Sequence, residues 1–240
     1  MGKAAQDICR LHSTVYAMQK QAAFYKPLFV YTMPDRQAFI QTNQRYTMKE
    51  EKVEKPSSAR GSFLEEKTFK SRTVLLFGEI TDTLAHDIVK QLIALSSESK
   101  APINFLVCSP GGHVESGDVI HDVIRFIEAP VNMIGSGWVG SAAVNVFLSV
   151  PKARRFCLPN TRILIHQPSG GIGGQASDIA IQAKEIIRVR ERIGLLISQE
   201  TGQALEKVMA DIDRDFWMSV PEAIEYGLVS KSILSIKEIP

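Results

Sequence analysis

Cysteine is scarce in this chain. Its three, Cys9, Cys108 and Cys157, are too few and too widely spaced for a disulfide framework or a zinc site. That usage fits a reducing compartment, so a cytoplasmic protein without a metal is expected. Charge of one sign is lacking too: 28 Lys+Arg against 26 Asp+Glu leave a net charge of +2, too small to argue for nucleic acid or an anionic membrane as partner. No apolar run approaches the length that crosses a bilayer as a helix, which argues against a helical membrane protein. Two glycine-rich stretches read as strand-to-helix turns, Gly111-Gly112 and Gly135 to Gly140, but neither is followed by the Gly-Lys-Ser/Thr of a P-loop or spaced as in a dinucleotide site. No nucleotide cofactor is expected in this chain.

What is present is a globular composition, 45% hydrophobic with both charge signs, in 240 residues, enough for one full core and an appendage. Residues 1–60 are expected to be a flexible N-terminal extension. Met1 to Lys26 reads as a loosely amphipathic helix, Phe24 to Tyr31 as an aromatic patch interrupted by Pro27, and Gln41 to Gly61 as a polar linker. The basic residues Lys3, Arg10, Lys20 and Lys26 leave an organelle presequence as the alternative, against which Asp7 counts.

Residues 61–240 are expected to form the folded domain, its core starting near Ser62. Thr73–Phe77, Ile103–Val107, Val131–Ile134, Arg155–Cys157 and Arg162–Ile165 read as short buried strands. Between them, Asp82 is expected to cap an amphipathic helix through Leu95, and a second helix runs from about Glu115 to Ile127. Alternating strands and helices predict an α/β fold with largely parallel pairing.

The stretch around which the chain is organised is Gly135 to Leu148. It predicts a glycine-punctuated turn after the third strand, then a mostly apolar helix with Ser141 at its start. A serine there lies at the positive end of a helix dipole, beside N–H groups that lack intrahelical acceptors. That is a way to present a nucleophile to a carbonyl, although serine is also a common N-cap. The other glycine turn, Ser109-Pro110-Gly111-Gly112-His113, also follows a strand. Sites in such sheets gather at the carboxyl ends of strands, so the N–H groups of Gly112 and Ala142 are candidates for an oxyanion hole.

A neutral serine needs a base, and the base needs a carboxylate to hold its tautomer. His166 ends an apolar strand just before a further glycine-rich segment; His86 and His121 lie in ordinary amphipathic helices, His12 in the extension and His113 in the first glycine turn. Asp211, Asp213 and Asp215 are all candidates for the carboxylate, and local chemistry does not choose among them.

From about Ser62 to Ile233 the chain resembles the proteolytic subunits of the ATP-dependent Clp proteases, the ClpP family of serine peptidases. The resemblance is carried by ordered blocks: Ser109-Pro110-Gly111-Gly112, Gly137-Trp138-Val139-Gly140-Ser141, Arg155-Phe156-Cys157-Leu158-Pro159-Asn160, Ile165-His166-Gln167-Pro168, Gly174-Gln175-Ala176, Asp213-Arg214-Asp215 and Pro221 to Val229. It implies a crotonase-like ββα spiral with a long helical handle, here Ser169 through a glycine-rich strand and a helix from Gln175 to Ser198. Ile179, Ile181, Ile186, Ile187, Ile193 and Leu196 would then pack between subunits. It further implies Ser141 as nucleophile, His166 as general base, Asp215 as the orienting acid, and Gly112 and Ala142 at the oxyanion hole. Arg214, Asp213, Asp178 and Gln175 would serve oligomer contacts.

The same resemblance implies stacked seven-membered rings enclosing a chamber, fed with unfolded polypeptide by an AAA+ unfoldase of the ClpX or ClpA/ClpC type. That partner would use ATP, and a ClpP paralogue could share the rings. Residues 1–60 take the place of the propeptide and axial pore loops. The chain departs from the family pattern at the nucleophile, where Val139-Gly140-Ser141-Ala142-Ala143 stands for Ala-Ala-Ser-Met-Gly; Ala142 in place of the methionine removes bulk near the substrate, so a different pocket preference is expected. Asn145 replaces an aromatic in an apolar helix, and Asn104 an aromatic of the unfoldase-docking groove. A buried Asn145 would need a partner. Two other readings are a catalytically silent ring subunit of a mixed complex and a crotonase-type acyl-CoA enzyme. The complete Ser, His and Asp set argues against both.

Overall fold

The computed structural model describes residues 58–171 and 173–239. The helix, aromatic patch and linker read in the first 57 residues lie outside the described residues, apart from the linker's last stretch, 58–61. That stretch opens helix α1, Ser58–Lys70, so helical structure begins before the expected Ser62.

Strand β1, Thr73–Phe77, follows, then α2, Asp82–Glu98; β2, Ile103–Ser109; α3, Val114–Phe126; and β3, Val131–Gly140. The short helix α4, Ala142–Phe147, leads to β4, Arg155–Cys157, and β5, Arg162–Ile165. The long helix α5, Ala176–Thr201, precedes α6, Leu205–Asp211; β6, Phe216–Ser219; α7, Val220–Tyr226; and β7, Lys231–Ser232. No helix among the described residues is long and apolar enough to cross a membrane.

The sheet runs β1-β2-β3-β4-β7 in parallel, and β5 pairs with β3 on one side and antiparallel with β6 on the other. Strand β3 explains how one strand serves two partners. Met133 to Gly135 pairs with β4, and Trp138 to Gly140 pairs with β5. The change of partner falls at Gly137, whose φ of +65° is left-handed, a conformation glycine adopts without a Cβ clash. The segment expected as a glycine turn is therefore the bent second half of a strand. Its glycines permit the bend, and ladder partners distant in sequence keep it extended.

The alternating burial of β2 buries Ile103, Phe105 and Val107, onto which α2 lays Ile88, Leu92 and Leu95 and α3 lays Ile120 and Ile124. Thr81, not Asp82, caps α2: its hydroxyl accepts from the Leu84 N–H at 3.2 Å, leaving Asp82 in the first turn, where a carboxylate suits the dipole. At the other end the Arg72 guanidinium donates to Leu95 O at 3.0 Å, which also accepts the Ser99 N–H at 3.3 Å, and to Ser99 O at 3.0 Å and Ala101 O at 2.8 Å just beyond the helix.

Arg155 is fully buried. It donates to Val150 O at 2.7 Å and Glu200 O at 2.9 Å and pairs with the Glu200 carboxylate, which ties the loop after α4 to the end of α5. Cys157 on the same strand is buried, and burial pushes its thiol up to about 12, so it is no nucleophile near neutral pH.

Helix α5 spans 26 residues, about 39 Å at 1.5 Å per residue. Its C-terminal part packs Ile193 and Ile197 into the core of its own chain, whereas Ile179, Ile181 and Ile187 are 40%, 57% and 55% exposed. Ile193 is thus a core residue rather than part of a free face. The glycine-rich strand expected between Ser169 and Gly174 forms no ladder among the described residues.

Candidate active site

Ser141 joins β3 to α4, with φ 54° and ψ −127°, a region costly for a residue with a Cβ. Two main-chain bonds impose that conformation: the Ser141 N–H donates to Leu164 O at 2.9 Å, and Ser141 O accepts from the Val144 N–H at 2.9 Å. The hydroxyl makes no capping bond. Serine as an ordinary N-cap is therefore set aside, and a strained strand-to-helix turn holds an uncommitted hydroxyl outward. Because α4 has only six residues, the polarity at Ser141 comes from its nearest N–H groups rather than from a long dipole.

His166 follows the end of β5, beside Ser141 because β3 and β5 are ladder neighbours. Its Nδ1–H donates to Asp215 Oδ1 at 2.9 Å, an arrangement that fixes the proton on Nδ1 and leaves Nε2 with its lone pair. Ser141 and His166 line one cavity, with Ala142, Asn145 and Pro168. Among the described residues the Ser141 hydroxyl has no hydrogen-bond partner, so serine and imidazole line a shared space without being hydrogen-bonded to each other. Apo sites often show this spacing.

The three candidate carboxylates separate cleanly by their partners. Asp211 accepts from Tyr226 Oη at 2.8 Å and Lys207 Nζ at 2.5 Å; burial, with the bond to Asp211, pushes the Tyr226 phenol up. Asp213 pairs with Arg190 of α5 at 3.4 Å, and its carbonyl accepts from Gln167 Nε2 at 2.8 Å. Asp215 alone of the three meets His166.

Gln167 is a site-supporting residue that residue-type reasoning passes over. Its N–H donates to Ile212 O at 2.6 Å, so its backbone and side chain together bolt the His166 strand end to the turn bearing Asp215. No local pattern distinguishes such a glutamine; only its adjacency to the histidine hints at it.

The first glycine turn packs directly on the nucleophile. Gly111 has φ +96°, and a Cβ built there would stand 2.6 Å from Ser141 Cβ, 2.7 Å from Gly140 O and 2.8 Å from Ala142 N. Gly112 bridges to Ile80: the Ile80 N–H donates to Gly111 O at 2.7 Å and the His113 N–H to Ile80 O at 2.9 Å. In that parallel bridge the Gly112 N–H is left over. Among the described residues neither it nor the Ala142 N–H donates to a carbonyl; Ala142 lines the cavity with Ser141 and His166, whereas Gly112 is not among the residues that line it. His113 is engaged elsewhere, with Ser116 Oγ at 2.7 Å and Asp82 Oδ1 at 3.0 Å. We expect Gly111→Ala to lower kcat/KM by roughly 100-fold or more, since the added methyl must move the nucleophile or the Ala142 N–H, with about 2–4 kcal/mol lost in denaturant unfolding.

The residues expected at oligomer contacts lie apart from the cavity. Gln175 and Asp178 are exposed at the start of α5, and Arg214 is exposed in the turn before β6 without an ion pair among the described residues. Asp213, expected there too, has its intrachain partner in Arg190.

Comparison with known proteins agrees with this architecture. Residues 57–235 match the family model described as Clp protease. The chain is 53% identical over 175 residues to ATP-dependent Clp protease proteolytic subunit 2 of Gluconobacter oxydans, covering 72% of this chain and 78% of the relative. It is 51% identical over 174 residues to the proteolytic subunit 2 of Pseudomonas aeruginosa, covering 72% and 87%. Among solved structures, ClpP1 from Listeria monocytogenes is 48% identical with a TM-score of 0.67, covering 74% of this chain and 99% of that one. With its spiral α/β fold, its Ser141 turn and a family match across almost all of the described residues, the chain belongs to the Clp protease family.

Proposed function

We propose that this serine-type endopeptidase works through Ser141, His166 and Asp215, with the Gly112 and Ala142 N–H groups as its oxyanion hole. The observation that carries the assignment is the shared cavity: a strained, uncapped serine faces an imidazole whose far nitrogen is held by a carboxylate. In the reaction, Ser141 Oγ attacks the scissile carbonyl and its proton passes to His166 Nε2. The oxygen becomes an oxyanion that takes the two N–H groups. Collapse expels the amine, which leaves with the imidazole's proton, and water then hydrolyses the acyl-serine by the same route. Asp215 stabilises the imidazolium and stays ionised.

We also propose that the chain works as a ring subunit, with or without a paralogue, in a double-ring chamber. An AAA+ ATPase would supply it with unfolded polypeptide. The names of the relatives support an ATP-dependent assembly. The exposed isoleucines of α5 supply an apolar face of the kind that packs between copies. Arg214, one residue before Asp215 and exposed, is suited to pair with a carboxylate across the ring-to-ring contact, for which a guanidinium fork is well shaped. Such a pair would hold the turn that carries Asp215. Sedimentation of Arg214→Ala, combined with fluorophosphonate labelling, tests the assembly: single rings or a compressed, unlabelled particle are expected. A double ring with normal activity would reduce the residue to a solvated charge worth about 0–1 kcal/mol.

A further inference from the structure

We infer that His113 is a positioning residue for the oxyanion side of the site: its ring clasps the Gly111-Gly112 turn against Ser141. The inference rests on Ser141 being the nucleophile. His113 follows Gly112 and precedes α3; beside it stand Asp82, in the first turn of α2, and Ser116, buried in the first turn of α3. The three form a second Asp, His and Ser cluster. Ser116 donates its hydroxyl proton to Asp82 Oδ1, so toward His113 it can only accept. His113 Nδ1 therefore carries the hydrogen, shared between Ser116 Oγ at 2.7 Å and Asp82 Oδ1 at 3.0 Å. A serine whose proton points at the carboxylate has no base to activate it, so the cluster is a clasp between the starts of two helices. The Ser116 hydrogen bond, with His113 beside it, holds the Asp82 carboxyl below the usual carboxylate range, and the clasp is closed on an ionised carboxylate at neutral pH.

What the clasp closes is the glycine turn. Gly112 meets Ile80 in an isolated parallel bridge of two main-chain bonds. Asp82 lies two residues beyond Ile80 and His113 one beyond Gly112, so the side-chain bond ties the bridge from outside. The packing leaves no slack: a Cβ built on Gly112 would stand 2.4 Å from Ile80 O, and one on Gly111 would stand 2.6 Å from Ser141 Cβ and 2.8 Å from Ala142 N. Gly117, next to Ser116, packs on Ala142 as well, with Ala142 O 3.4 Å from a Cβ built there. Opening the clasp lets the turn and the start of α3 shift against the Ser141 and Ala142 backbone, while His166 keeps its bond to Asp215. Oxyanion donors act on charge that develops only in the transition state, so the loss falls on turnover rather than on substrate binding.

The test uses the full chain, a fluorogenic peptide and the peptide aldehyde of the same sequence, whose adduct with a serine carries the oxyanion. His113→Ala is expected to lower kcat roughly tenfold, since small misplacements of reacting groups cost that much or more. KM is expected to stay within about twofold, and the aldehyde's inhibition constant to rise by the factor that kcat falls. His113→Asn, which keeps an N–H near the Nδ1 position, is expected to recover most of the loss. Assembly mass is the folding control; if His113→Ala does not assemble, Asp82→Ala, which opens the clasp from its other side, is read in the same way. With wild type labelled by fluorophosphonate on Ser141, an unchanged kcat, a loss confined to KM, or a lower melting temperature with unchanged aldehyde affinity overturns the positioning role alone. Absence of the Ser141 label overturns the nucleophile assignment and the positioning role with it.

Discussion

Ser141→Ala is expected to abolish hydrolysis of short peptides, with a fall in kcat on the order of a million-fold, as is typical when a triad serine is lost. The replacement keeps the Cβ, so the backbone strain at φ 54° is unchanged, and it removes a hydroxyl that makes no bond to the fold. Stability should therefore move by less than about 1 kcal/mol, and assembly mass should not change. Loss of activity with an intact, assembled protein separates a chemical role from a structural one. Steady-state assays on a fluorogenic peptide, read beside a thermal melt, measure both quantities. Retention of most of the activity would exclude the hydroxyl as the nucleophile.

Asp215→Asn carries the second large effect. The amide keeps the side chain's shape but can offer its NH2 to His166 Nδ1, which turns the imidazole to the wrong tautomer and withdraws the charge that stabilises the imidazolium. In a serine peptidase this change costs about 10⁴ in kcat at neutral pH. Asp215 is 64% exposed and His166 is its hydrogen-bond partner, so the stability effect should stay within about 0.5 kcal/mol. The informative comparison is with its neighbours. Asp211 serves Tyr226 and Lys207, and Asp213 serves Arg190. Asp211→Asn and Asp213→Asn should therefore leave the tautomer of His166 alone and fall well short of the Asp215→Asn loss. An equal loss in all three would mean that the turn acts as a unit and that no single carboxylate orients the histidine.

That comparison also marks where sequence reasoning ended. Strands such as Thr73–Phe77 and Arg162–Ile165 were legible because a short apolar run is bounded on both sides by residues that break it. Ser141, His166 and the two glycine turns were legible because strand ends in an α/β fold bring such residues to one edge. The choice among Asp211, Asp213 and Asp215 was not, since each has a partner far away in sequence, and only the resemblance to Clp proteases singled out Asp215. Gly135 to Gly140 misled for a related reason: glycine composition signals a turn, whereas the strand state comes from β2, β4 and β5. Asn145 was visible as an anomaly, a polar residue in an apolar helix, and the structure places it, buried, on the wall of the cavity beside the nucleophile.

The central claim is that Ser141 is an activated nucleophile. Reacting the assembled protein with a fluorophosphonate and locating the adduct by peptide mass spectrometry tests it most directly. One phosphonyl group per active subunit on Ser141, absent from the Ser141→Ala variant, is the predicted result. No adduct under conditions where the protein hydrolyses peptides, or an adduct on another serine, would contradict it.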